Sequence, residues 1–569
     1  MEKRWVKKET PDEAIVTALR ESLHVSEALA VLLAQREVND FETARRFFRP
    51  ELKDLHDPFL MKDMDKAVAR IELAIQHGEK IMVYGDYDVD GTTAVTLFYS
   101  FLSSIYPNCD YYIPDRNKEG YGISLAGIEY AREEGFTLMV SLDCGVKSVE
   151  LITHAKEVGI DFIVCDHHNP GDILPPAVAV LDAKRKDCPY PYKELSGCGV
   201  GFKLAQAISL HRGIPEETVF QYLDLVAVSI ACDIVEMRGE NRILTFWGMD
   251  KLNKDPSPGL KGLLNKAFEK SPKKRYDITD VVFYAGPRIN AAGRLEHAYG
   301  AVDLLLEKEA GNAETFAARL HTTNDARKEF EAEITASAIT ACETDPHFAA
   351  EFSTLVYGPD WNKGVIGIVA SRLVEKYYRP TIVLTSTGEK AAGSARSVEG
   401  FDIHEAIEAC SEHLIQFGGH THAAGLTLEK ERIPAFKAAF EAYVAAHIDP
   451  AKRVPELLYD LEIPLSSINE GFVKKMTQMG PFGPGNMNPL FVSRHVKDTG
   501  MVKNYGEHLS LNFYLSDGIV GGMAFFQAQH YNPVKQGKLF DICYHIDWTE
   551  FNGKERMQLR IIDMKATEA

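Results

Sequence analysis

The pattern of hydrophobic and polar positions divides the chain into stretches of different period. Between residues 80 and 184, short apolar runs end repeatedly in polar clusters: IMVYGDYDVDG, TLMVSLDCG (137–145), DFIVCDHHNP (161–170) and AVAVLDAK (177–184). LAGIEYAREEG and SVELITHAKEVG, which lie between them, carry apolar residues at helical spacing. Buried strands alternating with amphipathic helices predict a mostly parallel sheet flanked by helices. In the first of these runs the helix is expected over Ala94 to Ile105. Residues 1 to 78 read as helical, with Thr10 as a cap before Pro11 and Gly78 closing DMDKAVARIELAIQHG. VFQYLDLVAVSIACDIVEM (219–237) reads as one apolar helix with Asp233 inside it, a charge that needs a partner. A long charged helix over Ala313 to Glu343 has too few apolar residues to fill a core and is expected to bridge domains. A second, smaller α/β unit follows, containing AAGSARS and QFGGHTHAAG. The last stretch reads as antiparallel strands, with turns at Ser516-Asp517-Gly518 and Asn552-Gly553, and suggests a five-strand oligonucleotide-binding barrel. Phe513 and Tyr514, adjacent in one of those strands, are expected to face opposite sides of it.

Composition changes this picture little. A chain of 569 residues is too long for one core and implies several domains. No apolar run is long enough to span a membrane, and the first residues lack the core of a signal peptide. Nine dispersed cysteines with no C-x-x-C pair fit a cytoplasmic protein and indicate neither a disulfide framework nor a zinc knuckle. The net charge of −19 argues against simple electrostatic binding of nucleic acid. It does not exclude a nuclease whose metal-binding carboxylates are offset by cations.

Four acidic clusters fall at or near predicted strand ends or in the apolar helix: Asp86/Asp88/Asp90, Asp143, Asp166-His167-His168, and Asp233. The strand ends of a parallel sheet lie on one edge, so these groups can converge. One carboxylate shared by two ions, with Asp and His completing each shell, would make a two-metal site, and that donor set suits manganese or magnesium. Asp143 could instead cap a helix beginning near Val146, and the paired histidines could be surface loop residues. His413, His420 and His422 cluster in sequence, though no cysteine or acidic pattern supports zinc there.

These residues carry a resemblance. GDYDVDG, LDCG and DHH resemble the first three motifs of the DHH phosphoesterase superfamily, and ACDIV its fourth. GPRINAAGR, GSARS and GGHTHAAG are similar to further motifs of the RecJ single-strand-specific exonucleases. The resemblance runs in order over nearly the whole chain. It implies a helical lead-in (1–78), a parallel-sheet DHH domain (79–240), its C-terminal part with the long helix (241–345), a DHHA1 domain (346–450) and an OB-like domain (455–569). Two ions, Mn2+ or Mg2+, are implied. Asp88 and Asp143, helped by Asp86, would hold one, and Asp90, Asp143, His167 and Asp233 the other. Asp166 would fix the histidine tautomer, while His168 and His420 would face the scissile phosphate. Arg116, Arg288, Asn290, Arg294, Ser394 and Arg396 would bind substrate, and Gly418 and Gly419 would let backbone approach it. Tyr84 departs from the wider superfamily, where some members have a metal-binding histidine at that position.

The activity implied is 5′-to-3′ degradation of single-stranded DNA to 5′-mononucleotides in recombination and repair, by a monomer working with single-strand-binding protein and a RecQ-type helicase. Two rivals are a DHH phosphatase for small substrates (nanoRNA, pyrophosphate or cyclic dinucleotides) and a binding protein on a degenerate scaffold. The helical lead-in and terminal barrel speak against the first, and the intact acidic set against the second.

Overall fold

The structure is a computed structural model that describes residues 2–551 and 554–567. The expected Asn552-Gly553 turn lies outside the described residues. The chain opens with β1 (Arg4–Lys7) and three short helices, Glu13–Leu23, Glu27–Ala34 and Phe41–Phe48. The first helix is capped by Asp12, whose carboxylate accepts from Ala14 N, rather than by Thr10. The helix Met64–His77 ends where expected, on Gly78 at φ +70°.

The first α/β domain is built on β2 (Lys80–Gly85), β3 (Cys109–Tyr112), β4 (Phe136–Leu142), β5 (Asp161–Cys165) and β6 (Ala179–Leu181). They form an all-parallel sheet in the order β3-β2-β4-β5-β6. From β2 the chain crosses to β3 on one side and then to β4 on the other, so the strand order reverses around β2. Such a switch point opens a crevice at the carboxyl ends of the strands. Edge strand β3 escaped the sequence reading because CDYY is half-exposed and lacks an apolar run.

The helix after β2 spans Val89–Ile105 and starts five residues before its expected onset. Asp88 caps it by accepting from Gly91 N, and Thr92, Thr93 and Thr96 bond back to carbonyls of the preceding turn. Those bonds let the polar residues join the helix instead of forming a turn before it. The helix Leu223–Cys232 stops before Asp233, which is its C-cap and not an interior charge. Ile234 follows at φ +59°, breaking the helix there.

A 35-residue helix, Ala310–Thr344, extends about 52 Å between the two α/β units. The second unit holds β7 (Thr354–Gly358), β8 (Thr381–Thr387), β9 (Lys390–Arg396), β10 (Gln416–His420) and β11 (Ala423–Glu429), in the order β10-β11-β9-β8-β7. Only β7 and β8 run parallel. The last domain begins with β12 (Glu456–Tyr459), which pairs with β1. Its main sheet has seven strands where five were expected: β13 (Leu461–Glu462), β14 (Phe491–Val496), β15 (Lys503–Tyr505), β16 (His508–Tyr514), β17 (Ile519–Ala524), β18 (Phe540–Phe551) and β19 (Lys554–Ala566). Residues 515–518 close the β16–β17 hairpin, with Leu515 N donating to Gly518 O. Phe513 is fully buried while Tyr514 is 67% exposed, the opposite facing that strand alternation requires.

The N-terminal helices share one core with this domain: Leu29, Leu32 and Leu33 belong to the same buried cluster as Phe472, Val473, Met476 and Phe491. Arg36 donates to Asn486 Oδ1, and Arg242 to the carbonyls of Phe47 and Gly480. The two ends of the chain are thereby tied together and to the first α/β domain. No helix among the described residues is long and apolar enough to cross a membrane.

Candidate active site

Each strand of the first sheet from β2 to β6, β3 excepted, ends in an acid. Gly85 leads to Asp86, Leu142 to Asp143, Cys165 to Asp166, and Leu181 to Asp182. Asp143 is buried and sits at φ +60°, a left-handed conformation unusual outside glycine and found where function over-determines the backbone. Gly197, at the start of the helix Gly197–Arg212, packs so closely that a Cβ there would lie 2.5 Å from Asp143 Cβ. The same helix start fixes Asp90, whose carboxylate accepts from Gly197 N at 2.7 Å and Cys198 N at 2.8 Å. Ser229 Oγ donates to it at 2.6 Å. Charge placed at a helix N-terminus is favoured by the amide dipoles as well as by these bonds.

Three groups of donors converge: Asp86/Asp88/Asp143, Asp90/His167/Asp233 and Asp143/His167/His168, with the ligand atoms of each group within 4.8 Å of one another. Asp143 is common to two of them. His167 Nε2 is 3.1 Å from Asp143 Oδ1 and 3.6 Å from both Asp90 Oδ2 and Asp233 Oδ2. Burial, then mutual repulsion, holds Asp86, Asp88 and Asp143 above the ordinary carboxylate range, and Asp233 is raised to about 9. Burial lowers the proton affinity of His167, leaving a neutral ring able to donate a lone pair. Both oxygens of Asp86, Oδ1 of Asp143 and both ring nitrogens of His167 are buried with no hydrogen bond. Orphaned acceptors packed this closely are costly unless cations join them. The donors are carboxylates and imidazole with no thiolate, which fits manganese or magnesium. Tyr84, where some members of the wider superfamily have a metal-binding histidine, is fully buried and donates its hydroxyl to Gly122 O.

Asp166 works differently. Burial opposes its ionisation, yet the hydrogen bond from His168 Nδ1 (2.7 Å), the charge of that ring and the amide of Val146 bring it down to about 2. Burial pulls His168 down, but Asp166 outweighs it and raises its proton affinity. The ring that Asp166 orients is therefore that of His168. The other ring nitrogen of His168 is 3.1 Å from the hydroxyl of Tyr121, a residue more than half exposed. Sequence reading passed over Tyr121, although it lies five residues after Arg116 in RNKEGY.

Facing the acids is a set of guanidinium groups. Burial lowers Arg294 to about 10, helped by the neighbouring charges of Arg116, Arg327 and Arg396, while Asp88 opposes the shift. Arg327, on the long helix, had no motif to reveal it. Arg116 lies 5.0 Å over the ring of Tyr87. Ser394 and Arg396, two residues apart on β9, share a face and a 3.1 Å hydrogen bond. The sheet register aligns Arg396 with Ala423 and Ala423 with His420. Burial and then the charges of His422, Arg396 and His168 lower the proton affinity of His420, whose ring lies 6.1 Å from that of His422. Gly419 is at φ +152°, where a Cβ would meet Ala423 O at 2.3 Å, while Gly418 has open space beside it. Arg288 is turned inward, onto His321 Nδ1 and Tyr284 O, and Asn290 Oδ1 accepts from Val89 N beside the acidic turn.

The chain is similar to known proteins along nearly its whole length. Family models described as "DHH family, N-terminal domain", "DHHA1 domain" and "RecJ OB domain" match residues 80–230, 348–446 and 459–563. A single-stranded-DNA-specific exonuclease RecJ of Bacillus subtilis is 34% identical over 99% of this chain and 71% of its own length. The Escherichia coli protein of the same name is 33% identical over 88% of this chain and 90% of its own. The crystal structure of RecJ with Mn2+ from Thermus thermophilus superposes with a TM-score of 0.85 at 27% identity, covering all of this chain and 80% of that one. Its counterpart with Mg2+ gives 0.78 at 26% identity, covering all of this chain and 79% of that one.

Proposed function

This chain belongs to the RecJ family of single-stranded-DNA-specific exonucleases, and from that premise we propose that it degrades single-stranded DNA from the 5′ end, releasing 5′-mononucleotides in recombination and repair. The observation that carries the proposal is Asp143, a buried carboxylate in left-handed backbone shared by two clusters of ligand atoms, which include the orphaned oxygens of Asp86 and ring nitrogens of His167. Asp86, Asp88 and Asp143 would hold one ion, and Asp90, Asp143, His167 and Asp233 the other. Bound there, manganese or magnesium lowers the proton affinity of water and offsets charge on phosphoryl oxygens.

The chain's own groups do the rest. His168, held at Nδ1 by Asp166, would exchange the contact of its Nε2 with the Tyr121 hydroxyl for one with the scissile phosphate. Arg116, Arg294 and Arg396, with the Ser394 hydroxyl, take phosphate oxygens including those of the 5′ end, and Arg288 supports them from the same helix as Arg294. His420 closes on the phosphate from the second domain, where Gly418 and Gly419 allow close approach. A cleft between two α/β units would admit one strand and exclude a duplex. The protein acts as a cytoplasmic monomer with single-strand-binding protein and a RecQ-type helicase.

The test is digestion of long single-stranded DNA labelled at either end, with manganese and with chelator. Mononucleotides released first from the 5′ label, only with metal, support the reading. Turnover of dinucleotides with long DNA left intact overturns it.

A further inference from the structure

One surface outside the cleft carries charge and aromatic area that the metal site does not use. Residues 266–275 contain five cations and one acid, in a chain of net charge −19. Lys270 and Arg275 are exposed there and have no ion-pair partner among the described residues. Lys273 reaches Asp280 at 2.5 Å and lies 5.2 Å over the ring of Phe268. Phe268 in turn packs on Tyr284, ring centroids 4.5 Å apart. Tyr284 and its neighbour Phe283 are 41% and 68% exposed. They are presented by a single π-helical turn, Val281–Ala285, a distortion that recurs at functional sites.

That turn connects the strip to the site. It runs directly into the helix Gly286–Leu295, whose far end carries Arg294, about 16 Å away along the axis. Its back rests on the end of the helix before Asp233, with Cys232 Sγ 3.8 Å from Val281 O. Cations interleaved with exposed rings match the alternation of phosphates and unpaired base faces in a single strand. A duplex hides those faces, and an acidic peptide offers none.

We infer that this strip is a second track for single-stranded nucleic acid, holding the part of the strand that lies outside the cleft. Phe283 and Tyr284 stack on bases while Lys270 and Arg275 meet phosphates. The inference rests on the reading of the cleft as a single-strand nuclease site.

The test uses the full chain in chelator, where nothing is cut. Phe283→Trp is titrated with thymidine oligomers of roughly 6, 12 and 24 nucleotides, lengths bracketing known single-strand site sizes. A Lys270→Glu/Arg275→Glu variant is compared with wild type and with Lys430→Glu/Arg432→Glu, a charge-matched change on the second α/β domain. Tryptophan quenching by the longer oligomers is expected, with an affinity loss in the first variant that grows with length. Two lost phosphate contacts also lower the salt slope of log Kd by about 1.4. Absence of quenching at every length, or an equal loss in the control variant, overturns the inference. If wild type neither binds nor, with manganese, degrades long single strands, the nuclease reading falls and this one with it. If wild type does both and the variants match it at every length, this inference alone falls.

Discussion

Replacing Asp143 with Asn keeps the shape of the side chain, suits the left-handed backbone, and removes the charge that two ligand clusters share. The ligand atoms of Asp86, Asp88 and Asp143 lie within 4.8 Å of one another. At that spacing two unit charges repel by about 3 kcal/mol at an effective dielectric of about 20, less once the acids share protons. In chelator, Asp143→Asn should therefore stabilise the fold by roughly 1–3 kcal/mol and raise the unfolding temperature by about a few degrees at most. With manganese the order should invert, because only the wild type gains stability by binding. Turnover should fall by about a thousandfold, corresponding to roughly 4 kcal/mol of lost charge stabilisation. Thermal unfolding with and without manganese, alongside digestion of end-labelled DNA, reads both effects. A variant that manganese stabilises as strongly as wild type, or that keeps about a tenth of its rate or more, refutes the assignment of Asp143.

The same acids set a pH dependence. In chelator, the folded chain holds protons on Asp86, Asp88, Asp143 and Asp233 that the unfolded chain has released. Their contribution is thus most favourable below about pH 4 and is lost as pH rises through the raised values, about 9 for Asp233, so the unfolding temperature should fall across that window and manganese should flatten the trend. Ser229→Ala removes the 2.6 Å donor to Asp90 while two backbone amides still hold it, so calorimetry should show about tenfold weaker manganese binding in a folded protein. Arg396→Ala should weaken binding of 5′-phosphorylated DNA by about 1.5–3 kcal/mol and leave manganese affinity unchanged, which anisotropy and calorimetry together can check. Gly419→Ala places a methyl 2.3 Å from Ala423 O, forcing β10 from β11; turnover should drop with the displaced His420 while manganese still stabilises the first domain.

Much of this protein was legible in its sequence because the signals are local. An apolar run ending in Asp86, Asp88 and Asp90 marks a strand end wherever the strand lies in the sheet. Likewise, β-α alternation gives the parallel sheet without its strand order, and the helical run ending at Gly78 needs no tertiary contact to stop. Motifs such as LDCG, DHH and GGHTHAAG carry chemistry in a few consecutive residues, which is why the family could be recognised from them.

Other features were settled by contacts between segments remote in sequence. Asp233 reads as the interior of a long apolar helix, but the chain turns at Ile234 and makes it a C-cap beside His167. Ser229 and the Gly197 amide hold Asp90 across more than a hundred residues, and neither looks polar-functional in its own stretch. Tyr121 and Arg327 join the site only because a loop and the long helix reach it. The N-terminal helices, of which Glu27–Ala34 is buried along its whole length from Leu29 on, find their apolar partner in the last domain. Periodicity fixes which face of an element is apolar and which residues end a strand. What that face packs against, and which charges meet, depends on the sheet order and on where the long helix sets the second domain, and those are properties of the whole chain.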